Sequence, residues 1–576
     1  MVLLLEKLHL VDIISIVLKP VVGYQSMHYV VQIIWFSASY SAFSKGPYTE
    51  REVNLETNKI ETEKMWLYLI ITFVTLMLIC IKIHYKKWQR LGIDYDEPYL
   101  PYGSLGEVVR QEKHLGMVLH DIYCQKAKAK IVGLFMFFKP ILLIRDADLA
   151  RMIMTTGFNS FHDRGLYVDE KNDPMSGNLF VLPGQRWRVL RAKLTPAFTS
   201  GKLKGMFDTI DEVGNKLTKH IKRTCGNDSV KTFEMKNMLT TYAIDVIGSV
   251  IFGLDIDSFA EPNNEFRVLS NLLLHESTAL QKLFITMRFC SPSIAKLLAF
   301  LGMGDNITHP LRDIVKRTIA FRERNKVIRK DLLQLLIQLR NTGKISDDTD
   351  KLWDIETSAK ILESMSIEQI AAQAFLFYIA GSETTAATAA YTIYELAMSP
   401  KILECAQRDV DQCLLAHGLQ PDGKLTYAAL HDMKYLDLCI METTRKYPAL
   451  PFLNRVCTQD YAVPGMDFII KKNTPVVIPL FSLHRDNEHF PEPMKYEPKR
   501  FSHDSVSIAF MPFGEGPRQC IAQRLGIMNV KLALVKILSN FQIESIGHKE
   551  VEFMPHHSPA LMPKDGLNVR LRKRRQ

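Results

Sequence analysis

The strongest constraint on folding is one uninterrupted apolar run, Met65 to Ile81, MWLYLIITFVTLMLICI. It carries no charge, and two threonines are its only polar interruptions. A backbone in lipid must satisfy its own N–H and C=O groups, so such a run spans only as a helix. At 1.5 Å per residue it is near the lower limit for a hydrocarbon core of about 30 Å. Trp66 and Tyr68 at one end, and Tyr85 and Trp88 beyond the other, suit the two interfaces. Lys82, Lys86, Lys87 and Arg90 follow the run, while Glu61, Glu63 and Lys64 precede it. The positive flank is C-terminal, which places the rest of the chain in the cytosol.

The expected organisation is an N-terminal extension over 1–64, a transmembrane anchor over 65–83, a linker over 84–105 and one large domain over 106–576. Met65 opens directly into the span, so the working protein is expected to start there. The linker holds Pro98, Pro101 and Gly103. Beyond it, long amphipathic helical stretches dominate. Leu134–Arg145 and Thr474–Leu483 read as strands, being rich in β-branched and aromatic residues. The fold class is therefore mainly α with small β-sheets. Of the 576 residues, 47% are hydrophobic and 23% charged, which excludes a disordered chain and a polytopic membrane protein. The net charge of +10 is diffuse and gives no case for nucleic acid. Arg570, Arg572, Lys573, Arg574 and Arg575 form a basic tail, read as solvated. The nine cysteines are scattered, without CxxC spacing, as in a reducing compartment.

Phe513-Gly514-Glu515-Gly516-Pro517-Arg518-Gln519-Cys520 leads into a helical stretch, Ile521 to Asn540. Two glycines and a proline force a tight approach, and Cys520 falls at or just before a helix N-terminus. Free N–H groups there favour a thiolate, which is either a nucleophile or a metal ligand. The loop has neither the third glycine of GxGxxG nor the GK[ST] of a P-loop. Upstream, Ser366 and Gln369 form a capping-box pattern, opening about 30 helical residues that Pro400 stops. Ala380-Gly381-Ser382-Glu383-Thr384-Thr385 makes a small, hydroxyl-rich notch in its middle. Alone, such a notch is commonly helix packing. Glu442 and Arg445 share a helix face at i, i+3.

FGEGPRQC resembles the haem-binding loop FxxGxRxC of the cytochrome P-450 family. The family usually has glycine two residues after the cysteine; here Ala522 stands. The resemblance makes Cys520 the axial thiolate ligand of iron in haem b. It assigns Arg518 to a haem propionate and Phe513 to packing beside the sulfur. The notch resembles the family's (A/G)Gx(D/E)T pattern, with Thr384 holding dioxygen and water and Glu383 relaying protons. The order ExxR, PxRF, FxxGxRxC makes Glu442, Arg445 and Arg500 a buried structural charge network. Trp187 and Arg191 match a WxxxR helix that reaches a propionate, and Arg455 and Arg164 match further propionate-contacting positions. His484 is read as a structural histidine.

Residues 85–576 carry the resemblance. FHDRGLYVDEKNDPMSGNLF and WRVLRAKLTPAFTSGKLKGMF are similar to the insect microsomal branch that handles xenobiotics and lipophilic hormones. The implied reaction is NADPH-driven monooxygenation of a lipophilic small molecule by O2. Electrons would come through a separate NADPH–cytochrome P-450 reductase, with a cytochrome b-type donor as a further partner. The implied location is the endoplasmic reticulum membrane, held by a single pass with the catalytic domain cytosolic. By analogy the pocket is lined by 166–180, 284–301, 377–384, 450–453 and 558–562. Rival readings are a haem-thiolate isomerase or dehydratase, a non-catalytic haem binder, and a cysteine-nucleophile enzyme without haem.

Overall fold

The structure, a computed structural model, describes residues 53–574 apart from 227–229, 275–278, 304–308, 344, 346–364, 503–505, 548–549 and 556–559. Most of the N-terminal extension, Arg575 and the start of the 558–562 stretch lie outside the described residues. Backbone contacts divide the chain into two compact units, residues up to 109 with 131–142, and 110–130 with 143–576.

In the first unit, helix α1 (Val53–Tyr85) begins twelve residues before Met65. No glycine or proline stands between Val53 and Lys64 to stop it, so the helix continues past the apolar run. Its part from Lys64 to Tyr85 has a mean hydropathy of 2.3 and is almost bare of protein cover, which makes it a candidate membrane span. Beyond its end the interface reading of the aromatics needs correction. Trp88 is only 1% exposed, and its Nε1–H donates to the Leu134 carbonyl at 3.0 Å. The ring lies where a Cβ on Gly133 would come within 2.3 Å of it. The Tyr85 hydroxyl donates to the Phe137 carbonyl at 3.0 Å. A strand that offers glycine and free carbonyls competes successfully with a headgroup layer for these rings. Gly133 lies on β1 (Ile131–Met136); the backbone turns through Phe137, at φ 53°, into β2 (Lys139–Ile144). The single strand-like run thus folds as two strands.

In the second unit, the helices that position the site are α2 (Gly184–Leu194), α3 (Ser200–Cys225), α4 (Met235–Phe252), α5 (Ile367–Met398), α6 (Lys434–Lys446) and α7 (Gln523–Asn540). Helix α5 starts on a full capping box. Ser366 Oγ accepts the Gln369 N–H at 3.1 Å, and the Gln369 side chain accepts the Ser366 N–H at 2.9 Å. At 1.5 Å per residue its 32 residues run about 48 Å. The helix is buried on nearly all sides, packed against α4, α6 and α7. Gly381 permits the approach of α4, since a Cβ there would lie 2.4 Å from Ile247 Cδ1.

Antiparallel ladders complete this unit. β3 (Lys231–Glu234), β7 (Asn568–Lys573) and β6 (Phe541–Ser545) lie in the order β3-β7-β6, with Phe233 opposite Val569 and Ile543 opposite Leu571. In β6, Phe541 and Ile543 are buried and Gln542 and Glu544 are exposed, the period-two pattern of a sheet with one wet face. β4 (Leu453–Val456) pairs with β5 (Pro475–Ile478), with Arg455 opposite Val476. The remainder of the second strand-like run, Leu480–Leu483, is a helical turn after Pro479.

Candidate active site

The loop before α7 is set by its glycines. Gly514 and Gly516 hold φ of 71° and 70°, a region that L side chains avoid. At Gly516 space forbids a side chain too, because a Cβ would lie 2.0 Å from the Met154 carbonyl oxygen. The Gly514 N–H donates to the Met511 carbonyl at 2.9 Å, the Gln519 N–H to that of Gly516 at 3.0 Å, and the Cys520 N–H to that of Phe513 at 3.0 Å. The helix then begins at Gln523 with Ala522 as its cap, two residues later than the sequence suggests. Cys520 is accessible from a cavity that it lines. Burial pushes its thiol up, while the Ala522 N–H, Arg191 and Arg164 pull it down.

That cavity brings together Cys520 and Phe513 from the loop with Ala380, Gly381, Thr384 and Thr385 from α5. Its other walls include Phe198, Phe377, and Val246, Ile247, Val250 and Ile251 of α4. The stretch 377–384 thus reaches this cavity, whereas none of the other four anticipated stretches contributes a lining residue among the described ones. The α4 wall was invisible in the sequence, because a helix apolar on every side marks no face. The Thr384 hydroxyl donates to the Ala380 carbonyl at 2.6 Å, one turn back. Glu383 turns elsewhere: its Oε1 lies 2.7 Å from Lys236 Nζ on α4, with both side chains largely buried. Lys236 has no sequence signature, being one lysine in an ordinary helix start.

Around the cysteine loop stand four arginines. Arg518 donates to the carbonyls of Leu182 at 2.7 Å and Phe180 at 3.4 Å, and its guanidinium lies 4.2 Å over the Trp187 ring. Arg164 reaches the Arg518 carbonyl at 3.5 Å and lies over Phe180. Arg191, one turn beyond the buried Trp187 on α2, donates to the Gln519 carbonyl at 2.9 Å. Arg455, on β4, is 1% exposed and donates to the Asn454 carbonyl at 2.8 Å. Burial, and then the charge of Arg455, lower the guanidinium of Arg518 to about 9, and burial lowers that of Arg455 to about 10. Burial, then Arg455 and Arg518, hold Arg164 well below its ordinary value. The Nε atoms of Arg164, Arg455 and Arg518 are buried and lack hydrogen-bond partners. Among the described residues the only carboxylate paired with any of the four is Asp163, 3.6 Å from Arg518 and already accepting the Gly184 N–H at 2.6 Å.

Buried guanidiniums without counter-charge are costly, and their unused donors call for an anionic ligand. An accessible cysteine sulfur in the same region supplies a soft metal ligand. A metalloporphyrin with two carboxylates satisfies both demands, so the residues present fit haem.

The support of the loop lies on α6. Glu442 and Arg445 are wholly buried and paired at 2.7 and 2.8 Å. Arg500 Nε reaches Glu442 at 3.1 Å, and Arg445 also donates to the His484 carbonyl at 2.9 Å. His484 Nε2 in turn accepts the Met511 N–H at 3.1 Å, at the entry to the cysteine loop. Among the described residues no group of three or more His, Cys, Asp or Glu side chains forms a metal site.

The sequence matches the model of the family described as Cytochrome P450 over residues 98–571. A protein of Musca domestica named cytochrome P450 6d3 is 58% identical over 516 residues, covering 88% of this chain and 99% of that protein. Cytochrome P450 6d1 of the same organism is 59% identical over 507 residues, covering 87% and 98%. A Drosophila melanogaster protein named probable cytochrome P450 6d2 is 53% identical over 515 residues, covering 89% and 100%. A cysteine loop facing a hydroxyl-bearing helix, within a chain matched over most of its length, leads to one conclusion: the chain belongs to the cytochrome P450 family and is a haem-thiolate monooxygenase.

Proposed function

We infer that this monooxygenase is anchored in the endoplasmic reticulum membrane by α1, with its catalytic part in the cytosol. It inserts one atom of O2 into a lipophilic small molecule, a xenobiotic, hormone or lipid, and takes its electrons from NADPH through a separate flavoprotein reductase. The observation that carries this reading is the largely apolar cavity that both Cys520 and Thr384 line. Cys520 would hold the iron by its sulfur, and Arg164, Arg191, Arg455 and Arg518, with Trp187, would hold the propionates. Haem bound there supplies the activation of oxygen and its transfer. An electron-rich thiolate ligand favours cleavage of the O–O bond.

The chain's own residues do the rest. Phe513 packs beside the sulfur. Apolar walls from α4 and α5 exclude water and favour an apolar substrate. The Thr384 hydroxyl needs only to leave the Ala380 carbonyl to donate into the cavity. Glu383, adjacent to it, is the group that would hold a proton for delivery. Glu442, Arg445 and Arg500 keep the loop in shape. The basic flank at Lys82, Lys86, Lys87 and Arg90 favours the cytosolic orientation. An acidic electron donor, such as a reductase or a cytochrome b-type protein, would dock on the cysteine side through basic residues, by complementary charge.

The test is product formation from a panel of lipophilic compounds by full-length protein with reductase and NADPH. The carbonylated, dithionite-reduced protein should show the red-shifted Soret band of thiolate ligation. Loss of that band in wild-type protein, or turnover indifferent to reductase, rejects the reading.

A further inference from the structure

Gln373 stands on α5, three turns before Thr384. Consecutive helical residues point about 100° apart, so these two positions share a side to within about 20°. Gln373 therefore continues the stripe of Phe377, Ala380 and Thr384 that lines the cavity, without lining it itself. It is wholly buried, and a buried amide is costly unless its donors and acceptor are engaged. Its Oε1 accepts the Leu179 N–H at 2.9 Å. Its Nε2 donates to the Gly177 carbonyl at 3.0 Å and to the Gln369 carbonyl, one turn back, at 3.2 Å. Turned over, the amide would set oxygen against the Gly177 carbonyl and N–H against N–H at Leu179, so only this orientation fits.

The segment gripped in this way is a strap, residues 177–182. Its turn is fixed from within by Asn178, whose Oδ1 accepts the Phe180 N–H at 3.0 Å and whose Nδ2 donates to the Met175 carbonyl at 2.7 Å. Two further carbonyls of the strap, those of Phe180 and Leu182, accept from the two terminal nitrogens of Arg518. The Arg164 guanidinium lies 4.1 Å over the Phe180 ring. With both terminal nitrogens of Arg518 held and its Nε unpartnered, the place of the strap sets the direction of the donors left over. Asp163, 3.6 Å from Arg518, gives a weaker second hold.

We propose that Gln373 is a positioning residue for the prosthetic group: through the strap it aims Arg518 at a haem carboxylate, and so fixes the seat of haem relative to the cavity stripe of α5. This rests on the assignment of Arg518 to a propionate in the proposed function.

The test compares full-length, haem-loaded wild type with Gln373→Met, Gln373→Asn, Arg518→Met and the double variant Gln373→Met/Arg518→Met. Three readouts are the rate of haem transfer to a scavenging apoprotein, hydrogen exchange in the peptide that carries Leu179, and the Soret band of the carbonylated, reduced protein. Gln373→Met should speed haem transfer roughly tenfold, as for one lost hydrogen bond to a charged group, and by less than Arg518→Met does. In the Arg518→Met background the same change should add less than about twofold, because the residue it acts through is gone. A side chain that only stabilises the fold would add its full effect in both backgrounds. Exchange at Leu179 should rise in both Gln373 variants, while the Soret band keeps its thiolate position. Gln373→Asn is one methylene short of the strap yet still polar, so it should fold if Gln373→Met does not, and should release haem faster than wild type. Wild-type transfer rates in the Gln373 variants that fold overturn the proposal, as does full additivity in the double variant. Wild-type transfer in Arg518→Met rejects the assignment of that arginine to haem, and the proposal with it.

Discussion

Met511 donates its backbone N–H to Nε2 of His484 at 3.1 Å, and this bond ties the entry of the cysteine loop to the Glu442–Arg445 pair. The geometry requires an unprotonated Nε2. Burial, and then the Arg445 guanidinium, lower His484 from 6.5 to about 3.

A pH dependence of stability follows. Between about 6.5 and about 3 the unfolded chain binds a proton at His484 that the folded chain refuses. Stability is therefore full above the unfolded value and falls as pH drops through this window. From pH 7 to pH 5 the loss from this residue is about 2 kcal/mol. Urea unfolding of wild type and His484→Gln, whose amide oxygen can still accept from Met511, checks this. The acid-side loss should shrink in the variant, and equal slopes would remove His484 from the account.

Arg445→Ala leaves Glu442 as a wholly buried anion whose one remaining cation, among the described residues, is Arg500. Breaking a buried pair costs about 3–5 kcal/mol. The expected result is protein with little bound haem and a much lower unfolding midpoint, read by absorbance and by denaturant titration. Arg500→Ala, at the wetter end of the network, should cost less.

Two glycines should behave in opposite ways. Gly516→Ala meets both a left-handed backbone and the Met154 carbonyl, so the loop must deform and haem occupancy should fall sharply. Gly201→Ala, on α3 with open space at its Cβ position, should be neutral or gain up to about 1 kcal/mol. Thermal unfolding of the two purified variants separates the cases.

Arg455→Met and Arg518→Met should each weaken haem retention by about 2 kcal/mol, the size of a hydrogen bond to a charged group. Haem transfer to a scavenging protein should accelerate accordingly. Unchanged transfer rates would place the anionic ligand elsewhere.

Truncation before Ile81 should free the chain from membranes while leaving Tyr85 and Trp88 packed, whereas truncation past Trp88 should also lower stability. Carbonate extraction and thermal unfolding read the two effects separately.

The legible parts of the molecule were those governed by local rules. Ser366 and Gln369 announce α5 because a capping box is a four-residue device, and Pro400 announces its end. The cysteine loop was readable because only glycine tolerates its backbone. Pairings across the fold were not. Nothing near Lys236 in the sequence points to Glu383, and α4, apolar throughout, hides which of its sides faces the cavity. Trp88 misled because an aromatic beside lysines has the same local pattern whether it meets headgroups or a glycine in a neighbouring strand.

With Arg164, Arg191, Arg455 and Arg518 set, among the described residues, against the one carboxylate of Asp163, the polypeptide by itself repels part of its own interior. A dianionic prosthetic group is then a late component of folding, and not only a tool the finished enzyme carries. In a cell starved of that group, nascent chains would meet chaperones and proteases before they met any substrate, so cofactor supply would set the abundance of this enzyme as well as its activity.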